Sequence, residues 1–121
     1  MATFKIGGKE HELKLTYKAV KRLNSQFEGG SMEVIGKAIA GDFDAFPHIV
    51  HAGLMHTEAG YTLEDVEQAI EEAFEAEQLD LREMMRISDA VVTSSFFYKA
   101  TADKMLAKDK RVKQTLDDLR K

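Results

Sequence analysis

Three histidines, His48, His51 and His56, stand closest in this chain to a set of side chains able to do chemistry, with Glu58 just beyond them. His48 and His51 are spaced to share a helix face. A metal centre, however, needs three or four converging ligands held by supporting partners, and the His-Glu-x-x-His spacing is missing. The histidines therefore read as partly exposed helix residues. Gly8-Lys9 lacks the earlier glycine and the following Ser or Thr of a phosphate-binding loop, since Glu10 comes next in a predicted strand. Ser94-Ser95 lies inside an apolar helical run with no histidine near it in sequence, so no nucleophile and base are paired. The glutamates from Glu64 to Glu77 follow one solvated helix face, whereas an acid and base pair needs two distinct environments. No catalytic residue, metal ligand or cofactor is expected, and the chain does not read as an enzyme.

Charge points toward binding. The net charge of −4 conceals a strong segregation: residues 1–27 carry six basic and two acidic side chains, residues 58–83 one basic and ten acidic, and residues 99–121 eight basic and four acidic. Ends and middle of opposite sign either form solvated helix faces or favour head-to-tail association of copies that salt would weaken. Lys104, Lys108, Arg111 and Lys113 would suit a nucleic-acid backbone, but the chain is acidic overall and no base-stacking aromatics interleave with these lysines, so no nucleic acid is expected as partner. Aromatic and sulfur side chains are the remaining candidates. Phe96, Phe97 and Tyr98 are consecutive, and at about 100° per residue they cannot share one side of a helix. Either both flanks pack inside the monomer, or one flank meets another polypeptide. Met84, Met85, Phe97 and Tyr98 are the candidate partner-binding residues, because methionines and exposed aromatics suit adaptable surfaces.

The elements that must position these residues begin with a hairpin. Phe4 and Ile6 alternate with Thr3 and Lys5, Gly7-Gly8 supplies a two-residue turn, and Leu13 and Leu15 alternate with Glu12 and Lys14. A lone two-stranded ribbon is marginal in water, so its apolar face over residues 3–15 requires a helical cover. Thr16 is the expected N-cap of a helix that buries Tyr17, Val20, Leu23 and Phe27, with Leu15 and Val20 as its hydrophobic staple and Gly29-Gly30 as its stop. Ser31 caps a short helix through Met32, Ile35 and Ile39, and Asp44 caps one with Pro47 in its first turn and Phe46, Ile49, Val50, Gly53 and Leu54 on its apolar side. Gly53 reads as a point of close packing. Thr62 to Asp65 is a capping box opening a helix to about Leu79 that buries Val66, Ala69, Ile70, Ala73 and Phe74. Asp80 caps a single buried helix from Leu81 to about Ala102, whose stripe is Leu81, Met84, Met85, Ser88, Val91, Val92, Ser95 and Phe96.

The fold class is thus α+β, mostly α: a two-stranded antiparallel hairpin packed against about five helices. Residues 1–102 form a single globular domain, and residues 103–121 a basic helical extension. The 121 residues include no cysteine, which removes disulfides and thiol chemistry, and suffice for a core without metal. Lys5 and Lys9 are followed by charge rather than an apolar run, and no stretch approaches the ~20 apolar residues of a membrane span, so neither a leader nor a membrane partner is expected.

The run Ile-Gly-Gly-Lys-Glu-His-Glu-Leu-Lys-Leu-Thr-Tyr-Lys-Ala-Val-Lys-Arg-Leu, residues 6–23, resembles the opening of the tail assembly chaperones of long-tailed siphoviruses of Gram-positive bacteria. Phe46 to Leu54 and Tyr61 to Val66 resemble that family's central Ala-Gly-Leu helix and the cap that follows it; the last 40 or so residues match only in being helical. The resemblance implies a non-enzymatic chaperone that coats the tape measure protein during tail morphogenesis, works in the bacterial host's cytoplasm and is absent from the mature virion. It also implies a longer product made by ribosomal frameshifting. The tail tube protein is a further candidate partner, and self-association is expected. Two other readings stay open: a structural head-tail or tail component of the virion, and a small nucleic-acid-binding regulator.

Overall fold

The computed structural model describes residues 2–120. Strands β1 (Thr3–Ile6) and β2 (Lys9–Glu12) pair antiparallel, Phe4 opposite His11 and Ile6 opposite Lys9. Gly7 at φ +64° and Gly8 at φ +75° make the turn, because both central positions of this tight hairpin need the left-handed region. Phe4 and Ile6 are buried as the alternation requires. The ladder ends at Glu12 rather than Leu15. Beyond it the Leu13 N–H donates to the Ala2 carbonyl at 2.9 Å and the Lys14 N–H to the Gly53 carbonyl at 3.0 Å. Leu13 is buried and Leu15 half-buried.

The helices are α1 (Tyr17–Ser25), α2 (Gly30–Ala40), α3 (Phe46–Leu54), α4 (Leu63–Glu75), α5 (Leu81–Ser88), α6 (Phe96–Leu106) and α7 (Lys110–Leu119). A 3₁₀ turn follows α3 at Met55–Thr57. Thr16 Oγ1 accepts from the Ala19 N–H, Thr62 and Asp65 form a reciprocal capping box, and Asp80 accepts from the Glu83 N–H. Three local expectations change. The N-cap of α3 is Ala45, with no side-chain cap bond, and not Asp44; the carboxylate that bonds in the turn before it is Asp42, which accepts from the Ala45 N–H at 2.8 Å. Ser31 lies inside α2, where its hydroxyl accepts from Asn24 instead of capping. Helix α4 stops at Glu75, because Glu77 turns left-handed at φ +58° and the Gln78 N–H closes onto the Ala73 carbonyl at 2.9 Å.

The largest departure is the helix expected over 81–102, which is two helices. Asp89–Thr93 is a π-helical turn, the Ser94 N–H donating to the Asp89 carbonyl at 2.8 Å, and Ser95 is extended before α6 starts. Hydroxyls and carboxylates compete with the helical ladder by bonding locally, and here they do so together. The buried Asp89 carboxylate accepts from the Thr93 and Ser94 hydroxyls and, 31 residues on in sequence, from Arg120 Nε at 2.8 Å and Nη2 at 2.7 Å. Burial pushes the Asp89 carboxyl up, but the hydrogen bonds from Arg120, Thr93 and Ser94 and the Arg120 charge outweigh it and hold the group below its ordinary value.

The main core joins the hairpin to α1–α6, with Leu23, Ile35, Phe46, Ile49, Val66 and Val92 fully enclosed. The expected division after residue 102 falls inside α6. Helix α7 turns back onto α5 and α6, where Leu106, Leu116 and Leu119 form a smaller cluster against Ile39, Met85 and Val112. Gly53 is close-packed as expected: a Cβ there would lie 3.0 Å from Leu13 Cβ.

Gly53→Val is expected to lower stability by about 1–3 kcal/mol through overpacking against Leu13, read as a lower midpoint in urea. Because the Asp89 pKa is depressed on folding, its contribution is complete above the ordinary carboxylate range and lost as pH falls through the folded value. Asp89→Asn should cost about 1–2 kcal/mol at neutral pH, solvent screening at the partly exposed Arg120 included, and should flatten the loss of stability below about pH 4 in a melting series.

Candidate protein-binding groove

The histidines are engaged singly by the fold. His51 Nε2 lies 3.0 Å from the Tyr61 carbonyl, His56 Nε2 2.7 Å from the Glu12 carbonyl and His11 Nε2 3.1 Å from the Tyr61 hydroxyl. His48 meets the edge of Phe27 with ring centroids 5.7 Å apart, and burial lowers its pKa against the raising influence of Glu67. Among the described residues no three histidines, aspartates or glutamates converge to hold a metal. No helix among them is long and apolar enough to cross a membrane.

The four candidate partner-binding residues are separated. Met84 is buried in the main core, and Met85 is half-buried beside the α7 leucines. Tyr98 is 1% exposed, its hydroxyl donating to Asn24 Oδ1 at 2.7 Å while Asn24 Nδ2 donates to Ser31 Oγ at 2.8 Å. That chain of bonds ties α6 to α1 and α2, and burial pushes the Tyr98 pKa up to about 12. Phe97 alone of the four is well exposed, at 57%, its ring edge-on to Tyr98.

Phe97 belongs to a groove that periodicity does not find. Phe96 is 99% exposed and Tyr17 82% exposed, although both were expected in the core. The π turn is the reason for the first: it shifts the phase of α6 so that Tyr98 enters the core and Phe96 leaves it. Tyr17 opens α1, where Ala19 and Leu23 supply the buried side. Leu15, Tyr17, Val20, Phe96 and Phe97 line a hollow of about 540 Å³ between the starts of α1 and α6, with Lys21 and Asn24 at its polar edge. Thr93, Ser94 and Ser95 in succession, followed by three aromatics, are the sequence signal for this break. Its Thr16 and Ser95 hydroxyls are bonded to backbone at the Ala19 N–H and the Val92 carbonyl, and its lining contains no histidine or carboxylate. Its aromatic walls suit apolar side chains spaced along one face of a helix.

A second groove of about 350 Å³ lies between α3 and α4. Phe43, Pro47, Ile70 and Phe74 give its apolar surface, Asp44, Glu67 and Glu71 its acidic rim, and His48 also lines it. Phe74 was expected in the core and is 57% exposed, because α4 buries Val66 and Ile70 and ends one turn after the latter.

Phe96→Ser should leave stability within about 0.5 kcal/mol of the parent, whereas Tyr98→Phe should cost about 1–2 kcal/mol by taking the donor from Asn24 Oδ1; denaturation midpoints compare the two.

No curated protein and no solved structure matches this chain. The model of a protein family described as phage tail assembly chaperone protein, TAC, matches residues 3–107.

Proposed function

Because the chain belongs to the phage tail assembly chaperone family, we propose that it binds the tape measure protein during tail morphogenesis, through the groove between α1 and α6. The supporting observation is the exposure of Tyr17, Phe96 and Phe97 around one hollow. An unassembled tape measure protein is a long helical chain whose apolar stripes need cover, and a shallow aromatic groove with few charged groups can accept many such segments without a strict sequence code. Of the four residues that sequence alone nominated, Phe97 lies in this groove. Tyr98 ties α6 to α1 behind it, Met84 is buried elsewhere in the main core, and Met85 packs beside the α7 leucines.

The phage is a siphovirus of a Gram-positive host, and the protein acts in the host cytoplasm and leaves before the virion is complete. The tail tube protein is a second partner in the same assembly. Neither the groove nor the histidines supply a reaction, so the activity is capture and release.

The test is co-expression with the tape measure protein of the same phage, followed by affinity capture and titration. Phe96→Ser with Phe97→Ser should weaken binding on the order of 30-fold for each aromatic that acts as an anchor, about 2 kcal/mol. Unchanged affinity in the double variant would rule out this groove as the client site. Mass spectrometry of purified virions should find no copies of the chain; stoichiometric copies would make it a virion component instead.

A further inference from the structure

Several acidic side chains of this chain serve the fold: Asp65, Asp80 and Asp109 cap helices, and Asp89 pairs with Arg120. The three that rim the α3–α4 groove do not. Among the described residues no hydrogen bond or ion pair engages Asp44, Glu67 or Glu71, and all three are exposed. Glu67 and Glu71 are four apart on α4 and so face the same way. The groove they edge holds Phe43 and Phe74, 62% and 57% exposed, together with Pro47 and the buried Ile70. Its remaining lining residue, His48, does not cancel the charge: burial lowers its pKa, with help from His51 and Arg22 and against Glu67, so the ring is neutral at neutral pH. Aromatic surface left open inside an acidic rim marks a contact site for an apolar group that carries positive charge beside it.

We propose that the α3–α4 groove is a second docking site, taking a basic amphipathic helix of another polypeptide whose large apolar side chains seat against Phe43 and Phe74 while its lysines or arginines meet Asp44, Glu67 and Glu71. Charge selects this occupant. The lining of the α1–α6 groove has Lys21 and no carboxylate, so a basic helix is disfavoured there, and an acidic helix is disfavoured at the α3–α4 rim. The chain does not supply the occupant itself, because its two basic helices spend their apolar faces inside the fold, α1 through Ala19 and Leu23 and α7 through Leu116 and Leu119. Nucleic acids and anionic membrane surfaces carry the same sign as the rim and are repelled. The two grooves share no lining residue, so both can be filled at once, and the second site does not depend on which segment fills the first.

The probe is a synthetic capped peptide of about 15 residues, near the shortest helix stable in water, with leucines at i, i+3, i+4 and i+7 and lysines elsewhere. In fluorescence anisotropy titrations the full chain should bind it on the order of tenfold more tightly than a Leu/Glu peptide of the same pattern, and than a scrambled Leu/Lys peptide of the same charge. Phe43→Ser with Phe74→Ser, and separately Glu67→Gln with Glu71→Gln, should each weaken binding on the order of tenfold, and only the second pair should flatten its salt dependence. Phe96→Ser with Phe97→Ser should leave it unchanged. The substituted side chains are exposed, and circular dichroism melts matching the parent verify the fold. Equal affinity for the scrambled peptide, unchanged affinity in either α3–α4 variant, or loss only in the Phe96, Phe97 variant would each overturn the proposal. A parent whose mass in light scattering falls when Phe43 and Phe74 are replaced would assign the groove to a second copy and overturn it as well. Tape measure capture is scored separately: capture that survives in the Phe96, Phe97 variant removes the α1–α6 client site and leaves the peptide result standing.

Discussion

Asp89 is a carboxylate placed where a helix would otherwise run on through the core, and much of the molecule is arranged to keep it charged there. Removing an ionised group from water costs several kcal/mol unless it is paired and fully bonded. Thr93 and Ser94 supply hydroxyls from the same turn, and Arg120 supplies two guanidinium N–H groups from the far end of the chain. The local bonds open the α-helix into a π turn and reset the phase of α6. The distant bond holds α7 against α5 and α6. One buried charge thus decides which aromatics of the Phe96–Tyr98 run are core and which are surface.

Between the hairpin and α3 the constraint is steric. The hairpin cannot stand alone, and its exit strand is fastened to the end of α3 by the Lys14 N–H bond to Gly53 and by Leu13 lying against the glycine's bare Cα. The close approach lets the platform and the central helix share one core. It also fixes the start of α1 beside that platform, where Leu15 and Tyr17 form one wall of the groove. Groove and hairpin are therefore two results of the same chain path.

The chain belongs to the phage tail assembly chaperone family, and its polar bonding and its exposed aromatics are kept apart. The polar groups with the most defined partners, Asp89, Asn24 and Tyr98, are spent on holding helices together. The aromatics left outside lie in two grooves, one edged by Lys21 and the other rimmed by Asp44, Glu67 and Glu71.

The residue pattern alone specified several features closed within about one helical turn, namely the Gly7-Gly8 hairpin, the caps at Thr16 and Asp80 and the Thr62–Asp65 box, together with the close approach implied by Gly53, while it misplaced the cap before α3 and the end of α4. These features are satisfied by atoms of near neighbours, or by the absence of a side chain, so periodicity and turn chemistry suffice to read them. The motif run at residues 6–23 likewise carried the family. Tertiary structure decided the exposure of Tyr17, Phe74 and Phe96, the burial of Tyr98 and the docking of α7. Those outcomes depend on a bond between residues 89 and 120 and on which neighbour fills each helix face, neither of which a window of local sequence contains.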